Sequence, residues 1–248
     1  MEFTYKAYSN LIDTVRSCGY EITDYSDYKQ YDKSVIMRHD VDYDIRRVLN
    51  FAEIEHKKGI SSTYFLLCSS DFYNLYSKRG IYIINKLKEY GHKIGLHFDE
   101  VKYDINEDNW SCETLASLIK DEAKVLSEII GDEISVVSMH RPSKQTLQHS
   151  KSGELKIDGM INSYDKEFFE NFKYVSDSRM RWREDVDSII KSGEYDKIHI
   201  LTHPFWYGNE NKNIKYTVQD FLISAVNDRM KILNDNITDL YKILEDEF

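Results

Sequence analysis

Short apolar runs rich in β-branched and aromatic residues alternate along this chain with segments whose apolar residues recur at helical spacing. Six of these runs predict strands at 34–40, 62–69, 93–99, 134–140, 173–178 and 197–203, and a weaker run lies at 160–165. Strands that alternate with helices imply parallel pairing through crossover connections. We therefore expect an α/β protein built as a closed or partly closed (β/α) barrel of about seven parallel strands.

Helices are predicted between the strands and after the last one. Apolar residues at helical spacing follow Asp44, which is the expected N-cap, and the helix is expected to stop at Gly59. Two further helices are predicted at 111–130 and at about 217–245. Because no Gly-, Ser- or Pro-rich linker interrupts the pattern, residues 1–248 are predicted to form a single domain.

Charge and composition exclude several classes of function. The chain has 43 acidic against 33 basic residues and a net charge of −10, which argues against nucleic acid as a partner. No apolar window reaches the roughly 20 residues that a membrane helix needs, and the start lacks the pattern of a secretory signal. We therefore expect a cytoplasmic protein. Three widely spaced cysteines predict neither a disulfide set nor a Cys-based zinc site.

Titratable side chains stand at the ends of the predicted strands. They are Asp40, Asp42, His97, His140, Asp177 and His203. In a parallel barrel all strand carboxyl ends lie on one face, where active sites are built. We therefore expect these six groups to meet in one cleft, although charged groups are costly to bury.

Asp40 and Asp42 lie on the same face of their strand because side chains alternate, and His39 lies on the other face. One interpretation is structural: one carboxylate caps the next helix and the other pairs with Arg38 or Arg46. Two like charges on one face repel each other, however, and a bridging cation removes that penalty. The pair therefore favours a metal site.

The chain's two prolines, Pro142 and Pro204, follow closely after His140 and His203. Proline ends a strand and fixes the loop after it, so this recurrence favours two functional histidines over ordinary strand ends. A lone histidine is most often structural, but His97 coincides with the acidic pair. The histidines assigned structural roles are His56, His92, His149 and His199.

Aromatic residues flank the same segments. Aromatic rings beside a polar cleft can stack on a sugar or base, although aromatics at strand ends also commonly belong to the core. The candidate substrate-binding residues are Trp182, Trp206 and Tyr207.

Five segments between about Val35 and Tyr207 together resemble the polysaccharide deacetylase family of metal-dependent carbohydrate esterases (carbohydrate esterase family 4). In order they are "RHDVD", "GHKIGLH", "SMHRPS", "SDSRMRWRE" and "ILTHP". The resemblance is closest to the branch in which "HDVD" replaces the usual "TFDDG". It implies a single-domain distorted (β/α) barrel, with residues 35–207 as the motif region, and a hydrolase that removes an N-acetyl group from an amino sugar.

The resemblance also implies roles for single residues. Asp40 would be the general base, and Arg141 would pair with it. His203 would be the general acid, and Asp177 would tune the acid or the base through a hydrogen bond. An acid and a base that act in opposite protonation states predict a bell-shaped dependence of rate on pH.

For the metal, the resemblance implies Asp42 and His97 as ligands of one divalent ion, zinc first, with Co²⁺, Mn²⁺, Ni²⁺ or Fe²⁺ as alternatives. The family's second histidine would fall at Val101, which cannot bind metal. Either another residue supplies the third ligand or the site is inactive. Candidates for that ligand are His140, Asp99 and Glu100. We prefer the histidine because imidazole suits zinc and its strand ends at the same cleft.

An intracellular location would favour a sugar nucleotide or a carrier-linked glycan precursor as substrate over a finished wall polymer. Two alternatives stay open at this point. The same metal site could serve a deformylase or an amidase of non-sugar substrates, or the barrel could be inactive and only bind glycan or a partner protein. The sequence does not fix the oligomeric state.

Overall fold

The computed structural model describes residues 1–105 and 108–245. The chain divides into two compact units, residues 1–211 and residues 212–248. Residues 106, 107 and 246–248 of the predicted domain lie outside the described part. The assignment of the whole chain to one domain stays a prediction.

One parallel sheet organises the first unit. Its strands are β1 Glu21–Thr23, β2 Ser34–Val41, β3 Thr63–Leu66, β4 Lys93–Phe98, β5 Val136–Met139, β6 Ile161–Asn162, β7 Lys173–Ser176 and β8 Lys197–Thr202. The strand order is β6-β5-β4-β3-β2-β8-β7, and β1 pairs with the start of β2. This path of seven strands curls into a half-barrel, which confirms the predicted distorted (β/α) barrel. Strand β1 was not predicted because three residues are too few to reveal an alternating pattern.

Helices surround the curled sheet. They are α1 Tyr5–Ser17, α2 Val48–Lys57, α3 Lys78–Glu89, α4 Cys112–Ile130, α5 Lys144–Ser152, α6 Lys166–Glu170 and α7 Val186–Ser192. The Asp44 side chain accepts a hydrogen bond from the Arg46 amide and so caps a short 3₁₀ turn, Ile45–Arg47, that leads directly into α2 at Val48. Gly59, with φ +64°, follows the end of α2, as predicted. Helix α4 matches the predicted 111–130 helix, with Ser111 as its N-cap.

The second unit contains two helices within its described residues, α8 Ile214–Asn236 and α9 Leu240–Glu245. The prediction of one continuous helix at about 217–245 is therefore wrong, because this segment contains two helices. The chain leaves helical geometry at Ile237, and Asp239 adopts a left-handed φ of 57°. No helix in the described ranges is both long and apolar enough to cross a lipid bilayer.

A hydrophobic core fills the inside of the half-barrel below the strand ends. Ile36, Phe65 and Val136 belong to it, and Tyr25 packs against them from the loop after β1. Gly95 lies opposite Phe65 in the β3–β4 pairing, and a Cβ at this position would stand 2.5 Å from the phenylalanine ring. A glycine is therefore required here so that the ring can fill the barrel.

The outer face of the sheet carries a buried polar network around Glu55 of α2. Its carboxylate accepts hydrogen bonds from the hydroxyls of Tyr8 (2.6 Å), Ser62 (2.7 Å) and Tyr64 (2.5 Å), and His39 Nε2 lies 2.8 Å away. Burial alone would raise the pKa of Glu55, but His39 and the hydroxyl donors outweigh it and lower the pKa to about 2. The network joins α1, α2 and the sheet.

Candidate active site

The curled sheet brings the predicted polar residues to one edge. Asp40 is the next-to-last residue of β2, and His97 is the next-to-last residue of β4. The other four follow a strand within one residue of its end: Asp42 after β2, His140 after β5, Asp177 after β7 and His203 after β8. As predicted from the sequence, all six therefore lie at the carboxyl-end rim of the half-barrel.

Asp42, His97 and His140 converge on one point. Strand β3 separates β2 from β4, and a flat sheet would keep their backbones roughly 10 Å apart. The side chains bridge this spacing from the same face of the sheet: Asp42 Oδ1 lies 3.2 Å from His97 Nε2 and 3.3 Å from His140 Nδ1. The two imidazole nitrogens are 3.1 Å apart. One ligand atom from each residue thus lies within 4.8 Å of the other two.

The chemistry of these three groups fits a divalent cation. His97 Nδ1 lies 3.3 Å from the carbonyl oxygen of Ser138; a proton on Nδ1 donates to it and leaves Nε2 as an acceptor. Asp42 Oδ1 is buried and receives no hydrogen bond within the described part of the chain. A single proton between the rings satisfies at most one of three converging acceptors, whereas a cation satisfies them all. One carboxylate and two neutral imidazoles are ligands that suit zinc.

The other candidates for the third ligand are engaged elsewhere. Val101 is 62% exposed, Asp99 forms an ion pair with Arg141, and Glu100 accepts hydrogen bonds at the start of α5. His140 is the candidate that lies in the cluster. The geometry thus favours His140 in place of the histidine that the family pattern would supply at Val101.

Asp40 is held by Arg38. Arg38 Nε and Nη2 donate to the two carboxylate oxygens of Asp40 at 2.8 and 2.7 Å, and both side chains are buried. Burial raises the pKa of Asp40, but the charge of Arg38, helped by His97, outweighs it and keeps the pKa below its usual value. Asp40 Oδ2 is 3.6 Å from His97 Nε2, so an ionised carboxylate borders the cluster of Asp42, His97 and His140.

The expected pairing of Arg141 with Asp40 is wrong. Arg141 is paired with Asp99, and its side chain is 59% exposed. Arg38 takes the expected place because residues two apart in a strand share a face, so its guanidinium runs alongside the carboxylate. The signal that could have identified it is an arginine inside an apolar strand, since a buried arginine needs an anionic partner.

His203 is held by Asp177. Its Nδ1 lies 2.6 Å from Asp177 Oδ1, and its backbone N–H donates to the same carboxylate at 3.0 and 3.1 Å. Burial lowers the pKa of His203, but the charge and hydrogen bond of Asp177 outweigh this effect and raise the pKa to about 9. His203 Nε2 is 3.8 Å from Asp42 Oδ2. A protonated imidazole thus lies beside the cluster, next to the Asp42 carboxylate.

The aromatic candidates differ in their exposure. Tyr207 is 0% exposed and packs its ring against Phe51 at 4.9 Å between centroids, so it is a core residue and the expectation of substrate contact is wrong. Trp206 is 8% exposed, with its ring centre 6.4 Å from that of His203. Trp182 is partly buried in the loop after β7. Substrate contact by the two tryptophans stays a prediction.

The histidines assigned structural roles lie outside the cluster. His92 is buried, with Nε2 3.1 Å from the Ala52 carbonyl, and His199 Nε2 lies 2.7 Å from the Tyr25 hydroxyl. His56 stacks on Tyr90 at the end of α3, and His149 lies in α5.

No protein-family model and no curated protein matches this chain. Similar solved structures include a carbohydrate esterase family 4 pseudoenzyme from Bacillus anthracis, at 11% identity and a TM-score of 0.42, covering 79% of this chain and 62% of that one. The Streptococcus pyogenes deacetylase PplD in complex with acetate matches at 14% identity and a TM-score of 0.43, covering 58% of this chain and 66% of that one. A family 4 acetyl xylan esterase from Clostridium thermocellum in complex with a cobalt ion matches at 15% identity and a TM-score of 0.43, covering 79% and 84%.

This chain spans less than two thirds of the length of the first two of these structures. The three alignments have identities of 11–15% and TM-scores of 0.42–0.43. The closeness to the "HDVD" branch stays a prediction. Two of the three proteins are described as carbohydrate esterase family 4 members, and the third is described as a deacetylase.

Proposed function

We propose that this chain is a metal-dependent hydrolase that removes an N-acetyl group from an amino sugar. The observation that carries the proposal is the convergence of three kinds of group at one rim. A carboxylate with a lowered pKa, Asp40, and an imidazole with a raised pKa, His203, both border the Asp42–His97–His140 cluster. An ionised base and a protonated acid beside a cation site are what hydrolysis of an amide requires.

Asp42, His97 and His140 would hold the divalent ion, which we propose to be zinc. When bound, such an ion supplies Lewis acidity, which acidifies a water molecule and polarises a carbonyl group. Asp40, held ionised by Arg38, accepts a proton from the water that attacks the acetyl carbon. His203, protonated because Asp177 raises its pKa to about 9, donates its proton to the departing amine nitrogen. The products are acetate and the free amine.

The order of the five sequence motifs supports an acetamido sugar as substrate. We propose an intracellular glycan precursor, either a sugar nucleotide or a sugar linked to a carrier, as the form in which it is presented. These proposals on substrate, metal and cytoplasmic location rest on the motif resemblance and on the sequence, whereas the acid, base and ligand roles rest on geometry.

A substrate panel tests the proposed reaction. Zinc-loaded protein is incubated with an N-acetylated amino sugar, its N-formyl counterpart and a non-sugar acetamide, and the released acetate or formate is measured. We expect acetate release from the sugar to be fastest. Faster formate release would instead indicate a deformylase, and preference for the non-sugar compound would indicate an amidase. If none of the three compounds is hydrolysed although one metal ion is bound per chain, the protein is a non-catalytic barrel.

A further inference from the structure

The loop after β7 carries an unusual concentration of positive charge. Arg179, Arg181 and Arg183 are three of the ten arginines in the chain, and they alternate within five residues. All three are exposed, and together with Ser178 they line a cavity of about 370 Å³. In a chain with a net charge of −10, this arginine loop, residues 178–183, is a local basic site.

The guanidinium groups of the arginine loop have no carboxylate partner within residues 1–105 and 108–245. Other arginines of the chain do: Arg38 pairs with Asp40, for example. The acidic residues that follow the loop are also engaged, because Glu184 pairs with Lys173 and Asp185 caps α7. Three like charges around one cavity repel each other, and an anion in the cavity would relieve that repulsion.

The loop is tied to the acid side of the active site. It begins directly after Asp177, which holds His203, and the Arg181 amide donates to the Asp177 carbonyl at 3.2 Å. Arg179 and Met180 both adopt left-handed φ values, 59° and 55°, which side-chain-bearing residues rarely take. Strain in two successive residues beside an active site fits a loop whose conformation is set by what it binds.

We propose that the arginine loop binds a phosphate or diphosphate group of the substrate, next to the acetamido group that is hydrolysed. This inference rests on the proposed function for its account of what the anion is attached to. A guanidinium forms two parallel hydrogen bonds to phosphate, and several guanidinium groups match an anion with more than one charge. A neutral acetamido sugar would leave these three arginines without a role. The diphosphates of a sugar nucleotide and of a lipid-carrier-linked sugar share this chemistry.

Binding calorimetry on the zinc-loaded full chain tests the inference without relying on turnover. The probes are N-acetylglucosamine, N-acetylglucosamine 1-phosphate, UDP-N-acetylglucosamine and a short-chain prenyl diphosphate of N-acetylglucosamine. We expect each phosphorylated probe to bind at least about tenfold more tightly than the neutral sugar, since a hydrogen bond to a charged group contributes that much or more. Tighter binding of the UDP probe than of the prenyl probe would identify a nucleotide as the source of the phosphate, and the reverse order a carrier lipid.

Charge-neutral variants of the loop complete the test. Arg181→Gln and Arg183→Gln, singly and together, are compared with Lys93→Gln, which removes an exposed charge at the amino end of β4. We expect the double variant to lose about tenfold in affinity for the phosphorylated probes and nothing for the neutral sugar, with Lys93→Gln unchanged. Thermal unfolding of each variant checks that the fold is kept.

The inference is overturned if wild-type protein binds neutral and phosphorylated probes equally, or if the double variant binds them as the wild type does. Its failure is distinct from failure of the proposed function. Deacetylation of the neutral sugar without a phosphate preference would refute the anion site and support the proposed reaction. Arginine-dependent phosphate binding without any deacetylation would support the anion site and refute the proposed reaction.

Discussion

Two clusters in this molecule are built from the same kinds of side chain, one carboxylate and two imidazoles. The rim cluster is Asp42, His97 and His140, and the outer-face cluster is Glu55, His39 and His92. They lie on opposite faces of the same sheet, because His39 and Asp40 are successive residues of β2. Residue types alone do not distinguish them.

The two clusters differ in the number of hydrogen-bond donors that reach the carboxylate. Tyr8, Ser62 and Tyr64 donate to the oxygens of Glu55, so the outer-face carboxylate is satisfied by the protein itself. Asp42 Oδ1 receives no hydrogen bond from any described residue. A buried carboxylate oxygen without a donor is costly unless a cation meets it. The comparison teaches that the unsatisfied cluster is the one suited to an ion, and the satisfied one is structural.

The largest effect is expected from His203, the proposed acid beside the rim cluster. His203→Ala should lower turnover of the acetylated sugar by about 10²–10⁴-fold, the usual contribution of acid–base catalysis, and leave metal binding intact. The control is His56→Ala, which removes an exposed histidine of α2. Steady-state kinetics and metal analysis check both variants, and near-normal turnover in His203→Ala would refute its assignment as the acid.

The Arg38–Asp40 and Arg141–Asp99 pairs should differ in their effect on stability. Arg38→Gln leaves Asp40 buried without its partner and should lower the free energy of unfolding by about 3–5 kcal/mol. Arg141→Gln opens an exposed pair with Asp99 and should cost less than about 1 kcal/mol. Chemical denaturation measures both, and equal losses would contradict the distinction between the pairs.

The outer-face cluster should contribute stability that depends on pH. The pKa of Glu55 is lowered to about 2 from an ordinary 4.5, so its stabilising effect is complete above pH 4.5 and is lost as the pH falls from 4.5 towards 2. Wild-type protein should therefore lose roughly 3 kcal/mol more than Glu55→Gln across this window. Denaturation at a series of pH values measures the difference. Glu53→Gln, an exposed change on the same helix, should follow the wild type, and parallel curves for wild type and Glu55→Gln would contradict the prediction.

Much of the fold was predictable because each signal is local. Apolar runs predicted the seven strands β2–β8, and the polar residues at their ends predicted that those residues share one rim of the sheet. The meeting of Asp42 with His97 followed from topology, since parallel strands end on one side of the sheet.

The parts that escaped prediction depend on which way side chains turn in three dimensions. Arg38 lies two residues before Asp40, whereas Arg141 directly follows His140, and the shared strand face makes Arg38 the partner of Asp40. The network around Glu55 joins residues up to 47 positions apart, so no short motif marks it. Tyr207 looked like a cleft residue because it ends the segment "HPFWY" (203–207), which begins at His203, yet its ring packs in the core.

Metal stoichiometry tests the central claim most directly. Protein purified without chelator is loaded with zinc, dialysed and analysed for bound metal, and affinities are measured by competition with a chromophoric chelator. The variants are His140→Ala from the rim cluster and His92→Ala from the outer-face cluster, so that one histidine is removed from each.

We predict one zinc ion per chain for the wild type and for His92→Ala. His140→Ala should bind zinc more than about 100-fold more weakly, because losing a ligand costs more than the 10–100-fold typical of an outer-shell partner. Wild-type protein that holds no metal, or His140→Ala that binds zinc as tightly as the wild type, would contradict the account.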